Sequence, residues 1–240
     1  MPTDRLATAE AWTLAFANRD GIGGFVRLVR WTERCWYWAY VVTPGWGIIT
    51  VRDHEVSRPP GETLVVRADG LWAELVPETP GEHWSVGLEA FGVRLDDPLD
   101  AERGERGERL PVGLDLEWEI EVERFGAVRG QLLVADARVE FEGTGAFEHW
   151  SFVGDPWVEP WRRLVFQADL GHGAVVADDD VGLDVDARGL PTRVRAGSRA
   201  WQPEALALVP ISGGVILALV GGAAGAGWLE WSRPARLPTQ

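Results

Sequence analysis

Three observations predict an all-β protein built as an antiparallel barrel or sandwich. Short runs with apolar residues at every second position recur at intervals of about 8–12 residues, the spacing of such folds. Gly, Pro, Asn and Asp punctuate these runs where hairpins would turn. Helical periodicity is confined to one stretch, Thr8 to Asp20, where Thr8 can cap a short helix with Trp12, Ala15 and Phe16 on one face.

Taken in order, "GFVRLVRW" alternates from Phe25, and "CWYWAYVV" and "GIITVRDHEV" follow on either side of the turn signal "TPGWG". In "ETLVVRADGLWAELVPE" the pair Asp69-Gly70 joins two alternating runs as a hairpin. "HWSVGLEAFGVRLDDP" reads as a long strand, and residues 96 to 109 as a charged, Gly-punctuated loop. "LPVGLDLEWEIEVERFG" and "VRGQLLVADARVEFEGTGAFEHWSF" continue the pattern, with a turn at "ADA". The uncharged stretch from Ala205 to Leu229 is long enough to cross a membrane. Pro210, Gly213, Gly214, Gly221, Gly222, Gly225 and Gly227 cut it into pieces of strand length, so no membrane span is expected. The chain of 240 residues divides into two expected units, residues 1–125 and 126–240.

Composition narrows the function classes. The formal net charge is −14, and all 23 basic residues are Arg. Nucleic acid is not an expected partner, because neutralising phosphates needs clustered cations. The only cysteine, Cys35, sits among Trp and Tyr and reads as a buried, inert residue. The N-terminal residues carry no apolar run of signal-peptide type, and a cytoplasmic location is expected. No Rossmann fingerprint, phosphate loop or His-Glu-x-x-His motif is present, and the four His show no metal-ligand spacing. Neither a metal nor a cofactor is therefore expected.

The 14 Trp and the repeated word Glu-His-Trp-Ser direct attention to two places, residues 82–85 and 148–151. The first copy, with His83, reads as a plain strand. The second lies in "GTGAFEHWSFVGDPW", the densest polar-aromatic stretch of the chain. A strand there puts Phe147, His149 and Ser151 on one face and Glu148, Trp150 and Phe152 on the other. Asp155, past a bend, is the candidate partner of His149. A carboxylate can orient the imidazole and favour its charged form, which can then protonate an alkene or carbonyl. Trp faces can stabilise a developing cation. Trp150, Trp157, Trp161 and Glu148 are the candidate ligand-binding residues. The same pattern also describes a hydrogen-bonded His at the core or rim of a Trp-rich barrel. Glycoside hydrolysis is a different-class alternative, with Glu117, Glu119 and Asp155 as possible carboxylates.

The stretch from Gly143 to Trp157 resembles the Gly-x-Gly-x-Arg-Asp-His-Ser-Trp-Gly-x-Arg-Asp-Trp signature of the carotenoid hydratase (hydroxyneurosporene synthase)/AttH-like family. Gly143, Gly145, His149, Asp155 and Trp157 match it, and Glu148 stands for its Asp. Phe147 and Gly154 stand where the family has Arg, and Trp150 and Ser151 invert its Ser-Trp order. "AWTLAFANRDGIGGFVRL", "GLWAELVPETPGEHWSVGLEAFGVRLDDP", "LPVGLDLEWE" and "GAGWLEW" also look like segments of its uncharacterised actinobacterial branch. The resemblance implies two stacked lipocalin-like barrels and a cavity for an apolar small molecule, isoprenoid or polyketide-like. It further implies cofactor-independent hydration, isomerisation or cyclisation, with His149 and Asp155 as the acid/base pair. A carrier that binds such a metabolite without changing it is the alternative.

Overall fold

Period-two alternation organises the N-terminal two-thirds of the chain into one meandering sheet. The computed structural model describes residues 8–97, 106–122, 124–154, 162–167, 174–177, 181–187, 190–196, 198–209, 215–222 and 225–232. Ten strands form the larger sheet: β1 (Thr8–Ala17), β2 (Gly23–Arg30), β3 (Arg34–Thr43), β4 (Gly47–Ser57), β5 (Val65–Ala68), β6 (Leu71–Thr79), β7 (His83–Leu95), β8 (Gly107–Val122), β9 (Phe125–Val134) and β10 (Ala137–Val153). Seven form the smaller: β11 (Arg162–Gln167), β12 (Ala174–Ala177), β13 (Val181–Val185), β14 (Pro191–Ala196), β15 (Arg199–Val209), β16 (Val215–Gly222) and β17 (Gly225–Ser232). The protein is all-β and antiparallel, as its sequence predicts.

The large sheet runs β4-β3-β2-β1-β10-β9-β8-β7-β6-β5. It closes because β4 also pairs with the far end of β7, at Ile49↔Arg94 and Thr50↔Val93. The edge of β7 is thus shared: its second half meets β4 and its first half meets β6, across Leu71↔Ala90 to Thr79↔His83. The result is a barrel-like ring of eight strands with the β5–β6 hairpin laid over the gap where β4 and β7 diverge. That hairpin turns at Asp69-Gly70, with Gly70 at φ +73°. The small sheet runs β12-β11-β17-β16-β15-β14-β13. The boundary expected at 125/126 falls at the start of β9 inside the larger sheet, and the change of sheet follows Val153.

Two apolar cores result. One fills the ring with, among others, Leu14, Phe16, Tyr37, Val86, Leu116, Trp118 and Phe141. Cys35 is buried in it, and burial raises its thiol pKa. The other core lies between the outer face of β1–β4 and the small sheet, and contains Phe25, Val29, Trp31, Trp38, Tyr40, Leu219 and Trp228. Strands β1 and β2 are therefore covered on both faces.

This explains a secondary-structure expectation that the structure corrects. Residues Thr8 to Ala17 form strand β1, not a helix. Trp12, Leu14 and Phe16 face the ring, while Ala11, Ala15 and Ala17 face the small sheet. An apolar run buried on both sides carries no clean period, and short runs of this kind mimic a helical face. The loop expected over 96–109 is also shorter at its C-terminal end. Strand β8 begins at Gly107, which pairs with Leu95. The stretch from Ala205 to Leu229 contributes to strands β15, β16 and β17. No helix of the described residues is long and apolar enough to cross a membrane.

Glycine and a buried ion pair set the fit between ring and small sheet. A Cβ on Gly23 would lie 2.8 Å from Leu219 Cδ1 and 2.9 Å from the Phe16 carbonyl oxygen, so Gly keeps this approach free of a backbone clash. The Trp228 indole N–H donates to the Phe16 carbonyl at 2.6 Å. Arg27 is 2% exposed. Its Nε donates to Thr13 Oγ1 at 2.8 Å and its Nη2 to Glu230 Oε1 at 2.5 Å. The guanidinium also lies 4.6 Å from the Phe25 ring centroid and 5.5 Å from that of Trp38.

Candidate functional site

The two copies of Glu-His-Trp-Ser sit in opposite phase on the ring. In the first, Trp84 points inward, opposite Trp118, and His83 points outward. His83 Nε2 lies 2.6 Å from Glu117 Oε2, and Ser85 Oγ donates to Glu78 and to the same Glu117. In the second copy His149 takes the inward phase, and Trp150 packs against the core beneath the small sheet. One strand period, entered at a different residue, gives the same word two geometries.

His149 lies at the end of the barrel where β1 begins and β2 and β10 end. Register places it opposite Trp12. The two rings stack with centroids 4.7 Å apart and planes 9° from parallel. The expected separation of His149 from Glu148 and Trp150 holds: Phe147 packs toward the ring interior, while Trp150 and Phe152 pack on the other side. Glu148 is buried on that other side in an ion pair with Arg124. Asp155, Trp157 and Trp161 lie outside the described residues.

The described carboxylate beside His149 is Glu10, one strand over, with its Oε1 3.8 Å from His149 Nε2. The other Glu10 oxygen accepts from Arg30 Nη2 at 2.5 Å, and Glu62 accepts from the same nitrogen at 2.9 Å. Arg58 Nη2 lies 3.9 Å from Glu62 Oε1. The Arg30 guanidinium stands 4.8 Å from the centroid of Trp12. Burial works against its charge, but the hydrogen bond to Glu10 and the charges of Glu10 and Glu62 outweigh it and hold the pKa above the usual arginine value. Two cations and two carboxylates therefore balance at this barrel end.

Beneath the ion pairs the barrel end is aromatic. Trp84 stacks on Phe147 with centroids 4.5 Å apart, and Trp118 lies next to Trp84 across the β7–β8 ladder. Tyr37 is opposite Leu28, itself opposite Trp12. Four donors here have no hydrogen-bond partner among the described residues: Tyr37 Oη, Trp84 Nε1, Trp118 Nε1 and Arg30 Nη1. Their residues are 1%, 7%, 0% and 7% exposed. Burial alone raises the Tyr37 pKa. An unmet buried donor costs on the order of 1–3 kcal/mol. The sequence does not mark Trp12, Arg30 or Tyr37 as site residues. The period-two phase of β1, β2 and β3 does mark them as inward, but their meeting depends on pairing between strands distant along the chain.

Elsewhere, Glu117 and Glu119 sit two residues apart on the same outward face of β8, beside His83 and Arg129, and not across a cleft. His54, on β4, stacks on Trp36 at 4.9 Å and meets Trp38 edge-on at 5.5 Å. Burial, aided by Arg52, pushes its pKa from 6.5 down to about 4. Between those two values the unfolded chain binds the extra proton, so this contribution to stability is complete above 6.5 and disappears as the pH falls toward 4. His54→Phe is expected to gain on the wild type when thermal unfolding is compared at about pH 7 and about pH 4.5. An equal difference at both pH values would show that His54 is not the group responsible.

Comparison with protein-family models and with curated proteins finds no match to this chain.

Proposed function

We propose that this protein binds a small apolar molecule at the barrel end formed by Trp12, Arg30, Tyr37, Trp84, Trp118 and His149. One observation carries the reading: four buried donors without a hydrogen-bond partner among the described residues lie on the aromatic inner side of the ring. Binding sites combine such apolar walls with a few polar groups that fix orientation. The resemblance of residues 143–157 to the carotenoid hydratase/AttH-like motif supports the same ligand class. Simple retention of the molecule is the carrier form of this function. His149 and Glu10 add a hydratase-like form. An imidazole near a carboxylate, at the rim of an aromatic site, can pass a proton to a bound double bond or carbonyl.

The test is titration with Nile red, a neutral apolar dye with a ring carbonyl. Saturable binding of one dye per chain is expected. Hydrogen exchange should slow in peptides containing Trp12, Arg30 and Tyr37. Absence of saturable binding, or protection confined to the small sheet, would refute the reading.

A further inference from the structure

We infer that the molecule held at this barrel end presents neutral acceptor oxygens, as a ketone, ester or quinone does, on a flat conjugated ring system. The inference rests on the binding reading above and adds the chemistry of the ligand's polar end. Of the four unpartnered groups, Trp84, Trp118 and Arg30 can only donate, and Tyr37 can donate as well as accept. A ligand hydroxyl or amine would bring a donor where donors are already in surplus. A carboxylate would bring a charge that the site has already matched. Arg30 is paired with Glu10 and Glu62, and Arg58 lies beside Glu62. A further anion would be desolvated with no cation left for it, which is costly at a buried position. Carbonyl oxygens accept from N–H and O–H groups without adding charge or donors. The walls select shape. Trp12 and Trp84 present indole rings that already stack face to face with His149 and Phe147 at 4.7 Å and 4.5 Å. Such faces favour offset stacking with another planar π system.

Four naphthalenes that share one ring system test this: 2-acetonaphthone, naphthalene, 2-naphthol and 2-naphthoate, each competing with Nile red on the full chain. The ketone is expected to bind tighter than naphthalene by about tenfold, the equivalent of one hydrogen bond to a waiting donor. Naphthol and naphthoate are expected to gain less or to lose. In Tyr37→Phe and in Trp84→Phe the ratio of ketone to naphthalene affinity is expected to fall. Tyr37→Phe removes only a hydroxyl without a partner among the described residues, so its melting temperature should equal or exceed that of the wild type, which separates lost binding from lost folding. Tightest binding by naphthoate or naphthol overturns the inference. So does a ketone ratio unchanged in both variants. Either result leaves the binding function standing if Nile red still binds, whereas failure of Nile red itself refutes that function.

Discussion

Arg27→Met is expected to destabilise the protein by ~3–5 kcal/mol, the usual cost of leaving one member of a buried ion pair behind. Glu230 is 4% exposed, and one of its oxygens accepts from Arg27 while the other has no partner among the described residues. Without the guanidinium this carboxylate would have to take up a proton or draw water between the ring and the small sheet. Desolvation already lowers the pKa of Arg27, although the charge of Glu230 opposes this. Arg27→Met combined with Glu230→Leu is expected to recover most of the loss, because a buried pair replaced by apolar groups is often neutral or better. Urea unfolding of the two single variants and the double variant checks this directly. A loss below about 1 kcal/mol for Arg27→Met would show that solvent already screens the pair.

Gly145→Ala is expected to cost roughly 1–3 kcal/mol, although it adds only one methyl group. A Cβ at this position would lie 2.1 Å from Trp118 Cζ2 and 2.7 Å from the Ala15 carbonyl oxygen. Trp118 is fully buried and cannot swing away, and the carbonyl belongs to the β1–β10 ladder. Neighbouring Gly143 meets the same limit, with Phe141 Cζ at 2.6 Å. Pairing Gly145→Ala with Trp118→Leu should restore part of the loss in thermal unfolding. Full additivity of the two changes would mean that the indole is not what excludes the methyl.

These two cases show what could be read ahead of the structure and what could not. The alternation of β7, inward at Trp84, Val86, Leu88 and Ala90, is local and legible. So are the hairpin at Asp69-Gly70 and the phase of Phe147, His149 and Ser151. Strand β1 was misread as a helix because two apolar cores claim its opposite faces, and which faces are covered depends on parts of the chain more than a hundred residues away. The glycines of the 143–157 motif looked like part of a chemical signature. Their described contacts are with Trp118, Phe141 and backbone carbonyls, so their role here is steric. The sequence offers Asp155, past a bend and outside the described residues, as a partner of His149; Glu10 on β1 also approaches it, through a pairing that spacing alone cannot reveal.

The β1–β10 ladder has a further consequence, for how the chain folds. Thr8 pairs with Val153, and every other rung of that ladder also joins residues well over a hundred positions apart. Each of the preceding hairpins can form by itself, but the ring cannot close until the whole of β10 has emerged. During synthesis the first strand therefore waits with one unpaired edge and two apolar faces while most of the large sheet is made. Contacts of such high sequence separation slow folding and prolong exposure of aggregation-prone surface. A refolding rate measured for a rearranged chain in which β1 is moved to follow β10 directly should exceed that of the natural order, since the slowest loop closure would then be local.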